Sequence, residues 1–400
     1  MKILHTADWH LGKKLENFQR LPEQEKVLDE ICEIADKEQV NAVVVAGDIF
    51  DTVNPPIDAV ELLYKTLKRL SDNGNRAVVV IAGNHDSPDR INAPDPIAKY
   101  NGIFFFGYPN TFIKPVKLET GLEITKSDEG FIELKLPSCN KKLRIIATAY
   151  ANENRLRTAL NAEDKETELR NIISEHWQNL ADKYCDTNGV NILLTHHFVI
   201  KKGAEAKETA DDEKNILYLG GAQSIFTNQI PEQINYTALG HLHRFIKMQN
   251  GKSPVVYSGS PVAYSFSEQN QDKFALVVSF DKDAASIEKH KLNNGKRLMR
   301  VSFDNIEEAE QWLLQNPETL VELSIKVDEF LTASQRKRIF NAHNGIVNLI
   351  PVSTKQEQEN DDENFSINED IEKLFIKYFQ TKKNIEPNEE ILNIFRELNS

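Results

Sequence analysis

The chain has 400 residues, of which 40% are hydrophobic and 27% are charged, and its formal net charge at pH 7 is −13. This length predicts two or three domains, because single hydrophobic cores stop growing at roughly 250 to 300 residues. The negative charge argues against a protein that coats nucleic acid through its overall electrostatics, since phosphate binding draws on clusters of Lys and Arg. Any nucleic-acid contact is therefore expected to be local, mediated by metal, or shared with a partner.

The sequence also limits the compartment in which the chain is expected to work. No apolar run approaches the ~18 residues that are needed to span a bilayer, and the N-terminal stretch MKILHTADWH lacks the sustained apolar segment of a secretory signal. The three cysteines, Cys32, Cys139 and Cys185, are far apart and form no CxxC pair. They indicate neither a disulfide framework nor a thiolate metal site, so we expect a cytoplasmic protein with no membrane contact.

The first hundred residues alternate short apolar runs with helical periodicity, which is typical of an α/β fold. The apolar runs predict strands over 2–5, 42–46 and 77–82, and the periodic stretches predict helices over 24–38 and 57–70. A helix is expected over 166–184. Further strands, which we expect to form a second sheet, are predicted over 103–106, 191–195, 236–239, 255–257 and 274–280.

Beyond residue 281 the pattern changes and predicts a small separate α/β unit. Strands are expected over 298–303, 321–327 and 346–351, with helices over 306–314 and 332–342. The stretch KQEQENDDEN that follows is polar, charged and free of apolar side chains, as in a solvated linker. The predicted divisions are a main domain over 1–280, a small domain over 281–354, an acidic linker over 355–366 and a helical tail over 367–400.

Five apolar runs end in polar clusters, and ligands of α/β sheets gather at the carboxyl ends of strands. We therefore expect the clusters to converge on one rim. Residues two apart in an extended backbone point to the same side, so both members of each DxH or HxH pair are expected to be able to bind metal. Six of the ten histidines lie in these clusters, a bias that a merely stable core does not require. The clusters are Asp8-Trp9-His10, Gly47-Asp48, Asn84-His85-Asp86, His196-His197 and His241-Leu242-His243.

Each cluster taken alone also has a purely structural explanation. A lone DxH after a strand can be a capping Asp and a hydrogen-bonded His, and a Gly-Asp, GNHD or GHxH segment can be a hydrogen-bonded turn. The five clusters together, in this order, favour a metal site. Glycines at 47, 83 and 240 precede the polar groups, where a tight turn or a close backbone approach excludes a Cβ. The remaining histidines, His5, His176, His290 and His343, are expected to be structural.

The blocks DWHLG, GDIFD, GNHD, a strand-end His and GHLH resemble the five signature blocks of the calcineurin-like metallophosphoesterases. The resemblance implies a β-sandwich flanked by helices, with the small α/β unit as a capping domain, and two divalent ions, manganese by preference. One metal would be held by Asp8, His10, Asp48 and His243, and the other by Asp48, Asn84, His196 and His241. Asp48 would bridge them. His196 is preferred to His197 because THHFVIKKG resembles the block of this family in which the ligand histidine comes first.

The residue types suit this chemistry. Carboxylate, imidazole and amide ligands without thiolate favour Mn, Fe or Zn over Ca, and a shared carboxylate holds two cations roughly 3.5 to 4 Å apart, where both can bind one phosphate. Asn84 would limit the negative charge of a site that must admit an anion. His85 is expected to stabilise charge or protonate the leaving oxygen, with Asp86 orienting it. Asp51 stands where archaeal and eukaryotic relatives carry a His, so no histidine role transfers to that position.

Longer stretches, among them ILHTADWHLGKKL and YSGSPVAYSF, resemble the nuclease subunits of double-strand-break repair complexes. That resemblance implies a 3′–5′ exonuclease on duplex ends and an endonuclease on single strands and hairpins, acting on DNA as a homodimer within a heterotetramer. An ATPase partner would dock on the apolar faces of the tail. Three alternatives remain at this point: a phosphodiesterase or phosphatase for small or protein phosphoesters, a DNA-end-binding scaffold with a decayed site, and a tail that packs on its own chain.

Overall fold

The computed structural model describes residues 1–156, 165–202, 224–281, 284–327 and 331–353, with six single positions further on, Phe375, Ile376, Phe379, Pro387, Leu392 and Phe395. The predicted acidic linker over 355–366 lies outside the described residues, as does most of the predicted tail over 367–400. None of the helices in the described part combines the length and the apolar character that crossing a bilayer demands.

The described strands are numbered in chain order, and the helices are named by their bounds. The strands are β1 (Lys2–Thr6), β2 (Lys14–Leu15), β3 (Phe18–Gln19), β4 (Ala42–Ala46), β5 (Ala77–Ile81), β6 (Ile103–Phe106), β7 (Glu123–Asp128), β8 (Phe131–Lys135), β9 (Lys142–Thr148), β10 (Gly189–Thr195), β11 (Val199–Ile200), β12 (Ile225–Phe226), β13 (Tyr236–Leu239), β14 (Ile246–Asn250), β15 (Ser253–Tyr257), β16 (Phe274–Asp281), β17 (Ala284–Lys291), β18 (Arg297–Phe303), β19 (Thr319–Val327) and β20 (Ile346–Ser353). The α-helices are Leu21–Lys37, Ile57–Leu70, Pro88–Asn92, Asp95–Ala98, Glu153–Leu156, Lys165–Tyr184, Ile306–Gln315 and Ala333–Ala342.

The first sheet has six strands in the order β17-β16-β1-β4-β5-β6. β1, β4, β5 and β6 run parallel, and β16 pairs antiparallel with β1. All residues of β4 and β5 are buried, which explains why they are continuous Val- and Ala-rich runs instead of alternating patterns. The helix Leu21–Lys37 packs on this sheet through a stripe of apolar side chains, Val27, Leu28, Ile31 and Ala35.

The second sheet has seven strands in the order β14-β15-β13-β10-β9-β8-β7. Side chains alternate along β10: Ile192 and Leu194 belong to the core shared with the first sheet, whereas Leu193 belongs to a second core with Trp177 of the helix Lys165–Tyr184. Two sheets therefore pack face to face with helices outside them. This arrangement confirms the predicted α/β sandwich flanked by helices.

Two predicted members of the second sheet are wrong. The strand over 103–106 is β6, which pairs with β5, and the strand over 274–280 is β16, which pairs with β1, so both belong to the first sheet. Four strands that the prediction lacks, β7 to β9 and β14, complete the second sheet instead. Buried charged residues, Glu133 in β8 and Arg144 in β9, interrupt the apolar pattern that would have revealed these strands.

A three-stranded parallel sheet, β18-β19-β20, follows the sandwich and has a core of its own with the helices Ile306–Gln315 and Ala333–Ala342. All five elements of this unit were predicted from the sequence. The division predicted after residue 280 stays a prediction, but β17 pairs with β16 along its whole length, so the first sheet continues to Lys291.

In the predicted tail, the described aromatic rings contact one another. Phe375 stacks on Phe395 with ring centroids 4.1 Å apart and an interplanar angle of 12°, and Phe379 lies 5.9 Å from Phe375. Part of the apolar surface of the predicted tail is therefore in contact with other aromatic rings of the tail itself.

Candidate metal centre

The five polar clusters meet where the two sheets of the sandwich abut. β1, β4 and β5 are parallel neighbours in the first sheet, and β10 and β13 are parallel neighbours in the second, so their carboxyl ends lie together. Hydrogen bonds join the two sets of ends: His196 Nδ1 donates to the Ala46 carbonyl at 2.6 Å, and the His241 backbone N–H donates to Asp8 Oδ1 at 2.8 Å. The sequence clusters thus form one site, as predicted.

The backbone at this site differs from the extended form that the prediction assumed. Asp8, His10, Asp48 and His241 have φ angles of 54°, 42°, 48° and 92°, all in the left-handed region that non-glycine residues avoid. Side chains two residues apart therefore converge through tight turns and not through the two-residue repeat of a strand. Strained backbone of this kind persists where the surrounding structure fixes it, and it is concentrated at functional sites.

Two glycines allow the loops to approach this closely. A Cβ on Gly83 would lie 2.1 Å from Asp48 Oδ1, and a Cβ on Gly240 would lie 1.9 Å from the Ala46 carbonyl oxygen. Neither position can accept any other residue without displacing the loop that carries a site residue. The expectation that these glycines mark close backbone approach is confirmed.

The first group of side chains consists of Asp8, His10, Asp48 and His243. The Nε2 atoms of His10 and His243 lie 3.1 Å apart, and His10 Nε2 lies 3.5 Å from Asp48 Oδ2. Ligand atoms of Asp8, His10 and Asp48 all lie within 4.8 Å of one another. Four groups with lone pairs therefore face a common point.

The second group consists of Asp48, Asn84, His196 and His241. Asn84 Oδ1 lies 3.2 Å from His196 Nε2 and 3.0 Å from His241 Nδ1, while His196 Nε2 lies 3.2 Å from Asp48 Oδ2. The donation of His196 Nδ1 to Ala46 fixes the ring so that Nε2 is the atom turned to the centre, an arrangement common among metal-ligating histidines. Asp48 is the residue that belongs to both groups.

Burial perturbs the ionisation of these groups in opposing directions. It raises the pKa of Asp8 to about 7 and lowers the pKa of His10 to about 4 and of His241 to about 3. Burial alone would also raise the pKa of Asp48 and lower that of His196, but these two stabilise each other's charge. The pKa of Asp48 therefore falls well below its ordinary value, and that of His196 rises to about 9.

The side chains of the centre are better suited to binding divalent cations than to hydrogen bonding with one another. Asp8 Oδ2 is completely buried and has no hydrogen-bond partner among the described residues, a costly arrangement for a carboxylate oxygen. Histidine, carboxylate and amide donors without sulfur match the preferences of Mn, Fe or Zn. A positive ion between the two groups would satisfy both the orphaned oxygen and the facing imidazole nitrogens.

His85 lies beside the first group, with its ring 4.9 Å from that of His10. Its Nδ1 donates to the backbone carbonyl of Asp51 at 3.0 Å, and its backbone N–H donates to Asp48 Oδ1 at 3.0 Å. The Asp51 carboxylate accepts from Lys13 at 2.7 Å and lies 3.6 Å from His10 Nδ1. Asp51 thus lies next to both histidines, with its backbone carbonyl at His85 and its carboxylate near His10.

The prediction that Asp86 orients His85 was wrong. The Asp86 carboxylate is buried and accepts from the backbone N–H groups of Gly83, Ile49 and Phe50, at 2.8 to 3.0 Å. The carbonyl of Asp51 orients His85 instead. Asp86 therefore shapes the loop that carries Asn84 and His85 but does not touch the imidazole.

Three of the other histidines have structural partners. His197 is buried, and its Nε2 accepts from the Ala151 N–H at 3.2 Å, so of the adjacent pair it is His196 whose ring faces the centre. His5 contacts the Tyr236 hydroxyl at 2.9 Å, and His343 accepts from the Gly345 N–H at 2.8 Å. His176 lies in the helix Lys165–Tyr184 and His290 lies in β17, and the Nε2 atom of each is buried without a hydrogen-bond partner among the described residues.

Sequence reasoning missed a buried ion pair behind His243. Glu268 Oε1 lies 3.6 Å from His243 Nδ1, and Lys273 contacts Glu268 while donating to the His243 carbonyl at 2.7 Å. Such a carboxylate orients a histidine ligand and increases its basicity. Glu268 lies two residues after the end of the block YSGSPVAYSF. Its closeness to that block is the sequence signal that could have revealed this carboxylate.

Comparison with known proteins decides the family. The family model described as calcineurin-like phosphoesterase matches residues 1–245. The chain belongs to this family. The SbcD subunit of nuclease SbcCD from Bacillus subtilis (strain 168) is 36% identical over 410 residues, which cover 100% of this chain and 98% of that protein. The protein of the same name from Escherichia coli (strain K12) is 29% identical over 346 residues, 84% of this chain and 81% of that protein.

Proposed function

We propose that this phosphoesterase is a metal-dependent DNA nuclease that acts with an SbcC-type ATPase. The observation that carries the proposal is the convergence of two groups of ligand atoms on Asp48, with His85 next to them and outside both groups. The full-length likeness to an SbcD protein of nuclease SbcCD supports DNA as the substrate. The reaction is hydrolysis of a phosphodiester, with DNA repair and recombination as its setting.

In this proposal one divalent cation is held by Asp8, His10, Asp48 and His243, and the other by Asp48, Asn84, His196 and His241. The cations would neutralise phosphate charge and activate water, and manganese is the metal that we propose. The chain itself supplies the orientation of the ligands. Ala46 fixes His196, and Glu268 with Lys273 fixes His243.

His85 is proposed to act on the leaving oxygen. Its Nδ1 is committed to the Asp51 carbonyl, so Nε2 is the atom that can donate a proton. A phosphodiester needs such assistance more than a metal-activated monoester does. The imidazole therefore supports cleavage of DNA over the alternative of monoester hydrolysis.

A comparison of substrates separates the nuclease from the alternative phosphodiesterase or phosphatase. With added Mn²⁺, we expect the chain to cleave DNA hairpins and single strands and to leave cyclic nucleotides and an aryl phosphate monoester nearly untouched. Asp182→Ala, at an exposed position of the helix Lys165–Tyr184, is the control variant that should cleave like the wild type. Preferential hydrolysis of the monoester or of the cyclic nucleotide would replace the nuclease proposal.

The partner is proposed to bind the C-terminal tail, as part of a heterotetramer with two copies of this chain. A partner would also supply the basic DNA-binding surface that a net charge of −13 does not favour. Deleting 366–400 should leave Mn²⁺-dependent cleavage of short single strands intact while abolishing co-purification with an SbcC-type ATPase. Full-strength co-purification of the truncated chain would place the docking site elsewhere, and loss of folding or of cleavage would assign the tail to the core.

A further inference from the structure

The loop Gly83-Asn84-His85-Asp86 carries one proposed metal ligand and the proposed proton donor. The position of the loop therefore determines where both side chains lie. One side of the loop is anchored by Asp86, whose carboxylate accepts from Gly83 within the loop and from Ile49 and Phe50 after β4. The Asp86 carboxylate satisfies N–H groups only. The carbonyl oxygens of the loop need a donor from another part of the chain.

Arg155 is that donor. Its NH1 atom donates to the Gly83 carbonyl at 2.7 Å and to the Tyr150 carbonyl at 3.2 Å. Its NH2 atom donates to the Asn84 carbonyl at 3.2 Å and to the Asp86 carbonyl at 2.7 Å. One guanidinium group therefore holds three of the four carbonyl oxygens of the loop.

These hydrogen bonds connect the two halves of the sandwich. The loop follows β5 of the first sheet, whereas Arg155 lies in the short helix Glu153–Leu156, which follows β9 of the second sheet. The Tyr150 N–H adds a bond to the Ala82 carbonyl at 2.9 Å, and the Tyr150 ring lies 5.2 Å from the guanidinium carbon. The loop with Asn84 and His85 is thus fixed against the sheet that supplies His196 and His241.

We propose that Arg155 is a positioning residue for Asn84 and His85, holding their loop in register with the ligands of the second sheet. This inference rests on the proposed nuclease function. A shift of about 1 Å at a reacting group can cost about 10²-fold in rate, and removing Arg155 frees three carbonyls of this loop at once.

Direct phosphate binding by Arg155 is the competing role, and the hydrogen bonds argue against it. The two terminal nitrogens of an arginine carry four N–H groups, and all four are donated to backbone carbonyls here. To donate two hydrogen bonds to a phosphate, the guanidinium group would have to break its hydrogen bonds to the loop. The guanidinium therefore acts on the substrate only through the residues that it positions.

The test compares Arg155→Ala and Arg155→Lys with Arg170→Ala. Arg170 is a matched control, because it donates to a backbone carbonyl, that of Ser224 at 2.7 Å, lies over the ring of Phe226, and belongs to neither ligand group nor to the loop 83–86. We expect kcat on a DNA hairpin to fall about 10²-fold in Arg155→Ala, with KM nearly unchanged. Mn²⁺ affinity, measured by calorimetry, should fall in parallel because Asn84 is displaced. Arg170→Ala should keep both values.

Two further measurements separate positioning from charge and from folding. Arg155→Lys should lose rate as Arg155→Ala does, because a single ammonium cannot bond the three carbonyls in one plane. Added guanidinium ion should restore part of kcat in Arg155→Ala. It should not raise kcat in Arg155→Lys or in Arg170→Ala. If the alanine variant does not fold, the lysine variant carries the test.

Wild-type kcat and wild-type Mn²⁺ affinity in either Arg155 variant would overturn the inference. So would a rise in KM with kcat and metal affinity unchanged, which would assign Arg155 to phosphate binding. A lower melting temperature with wild-type kcat and metal affinity would likewise overturn it. Failure of the wild-type chain to cleave DNA would count against the proposed function alone, since the calorimetric measurement of Mn²⁺ still decides the role of Arg155.

Discussion

Two polar clusters in the sandwich differ in how their buried charges are balanced. In the second sheet, Glu133 accepts from Arg144 at 2.8 Å and from Lys142 at 2.7 Å, and Arg144 also donates to Asp186 at 2.6 Å. Every charge there has an opposite charge beside it. At the centre between the sheets, Asp8 Oδ2 has no partner among the described residues, and imidazole nitrogens face other acceptor atoms.

The backbones of the two clusters differ in the same way. Glu133 and Arg144 are opposite each other in the regular ladder of β8 and β9, whereas Asp8, His10 and Asp48 adopt left-handed conformations. A balanced cluster on regular backbone contributes to stability without any ligand. An unbalanced cluster on strained backbone needs an external cation, and its purpose is chemical. Mutations at the centre should therefore lower the rate of cleavage, whereas mutations in the balanced cluster should lower stability and leave the rate unchanged.

The largest effect is expected at Asp48, the carboxylate common to both ligand groups. Asp48→Ala should lower cleavage of a DNA hairpin by more than about 10⁴-fold, because both proposed cation sites lose a ligand. The bound Mn²⁺ per chain should fall as well, as measured by atomic emission after gel filtration. Cys139→Ala, outside the centre, should keep both values. Wild-type cleavage by Asp48→Ala at saturating Mn²⁺ would remove the bridging role.

The next effect separates the proton donor from the ligands within the same centre. His85→Gln keeps a polar side chain of similar length but cannot protonate a leaving group, so the rate should fall roughly 10²- to 10⁴-fold. Mn²⁺ content and DNA affinity should stay at the wild-type level. A parallel loss of bound metal would instead make His85 a ligand.

The balanced cluster should show the reverse pattern. Glu133→Gln leaves the buried Arg144 with Asp186 as its remaining charge partner, and the loss of the charged hydrogen bonds is expected to cost about 1 to 3 kcal/mol in the free energy of unfolding. The folded fraction should cleave DNA at the wild-type rate. Urea denaturation measures the first quantity and a hairpin assay the second. A loss of kcat in the folded variant would show that the two clusters are not independent.

The smallest expected effect is on the stability of the protein at acidic pH. Burial opposes ionisation of Glu133, but the hydrogen bonds from Lys142 and Arg144 dominate and lower its pKa from 4.5 to about 2. Because the folded-state pKa is depressed, the stabilisation is complete above about pH 4.5 and is lost as the pH falls towards 2. The difference in melting temperature between wild type and Glu133→Gln should therefore shrink over that range. A constant difference would contradict the ionised state of Glu133.

The contrast between the clusters also explains what the sequence could predict. The candidate metal centre could be predicted because Asp8, Asp48, Asn84, His196 and His241 closely follow apolar strands, so each is marked by a local pattern. Glu133 and Arg144 pair across neighbouring strands, and their charges hid β8 and β9. Arg155 contacts the loop 83–86 and Glu268 contacts His243 from separate parts of the chain, so no local pattern marks either residue. Asp86 was found but misassigned, because its backbone partners Ile49 and Phe50 are distant in sequence.

Anomalous diffraction at the manganese edge, on crystals grown with Mn²⁺, would locate the two proposed cations. We expect two peaks roughly 3.5 to 4 Å apart with the Asp48 carboxylate between them. His10 and His243 should ligate one ion, and His196 and His241 the other. A single peak, or two peaks that do not share Asp48, would contradict the proposed two-ion centre.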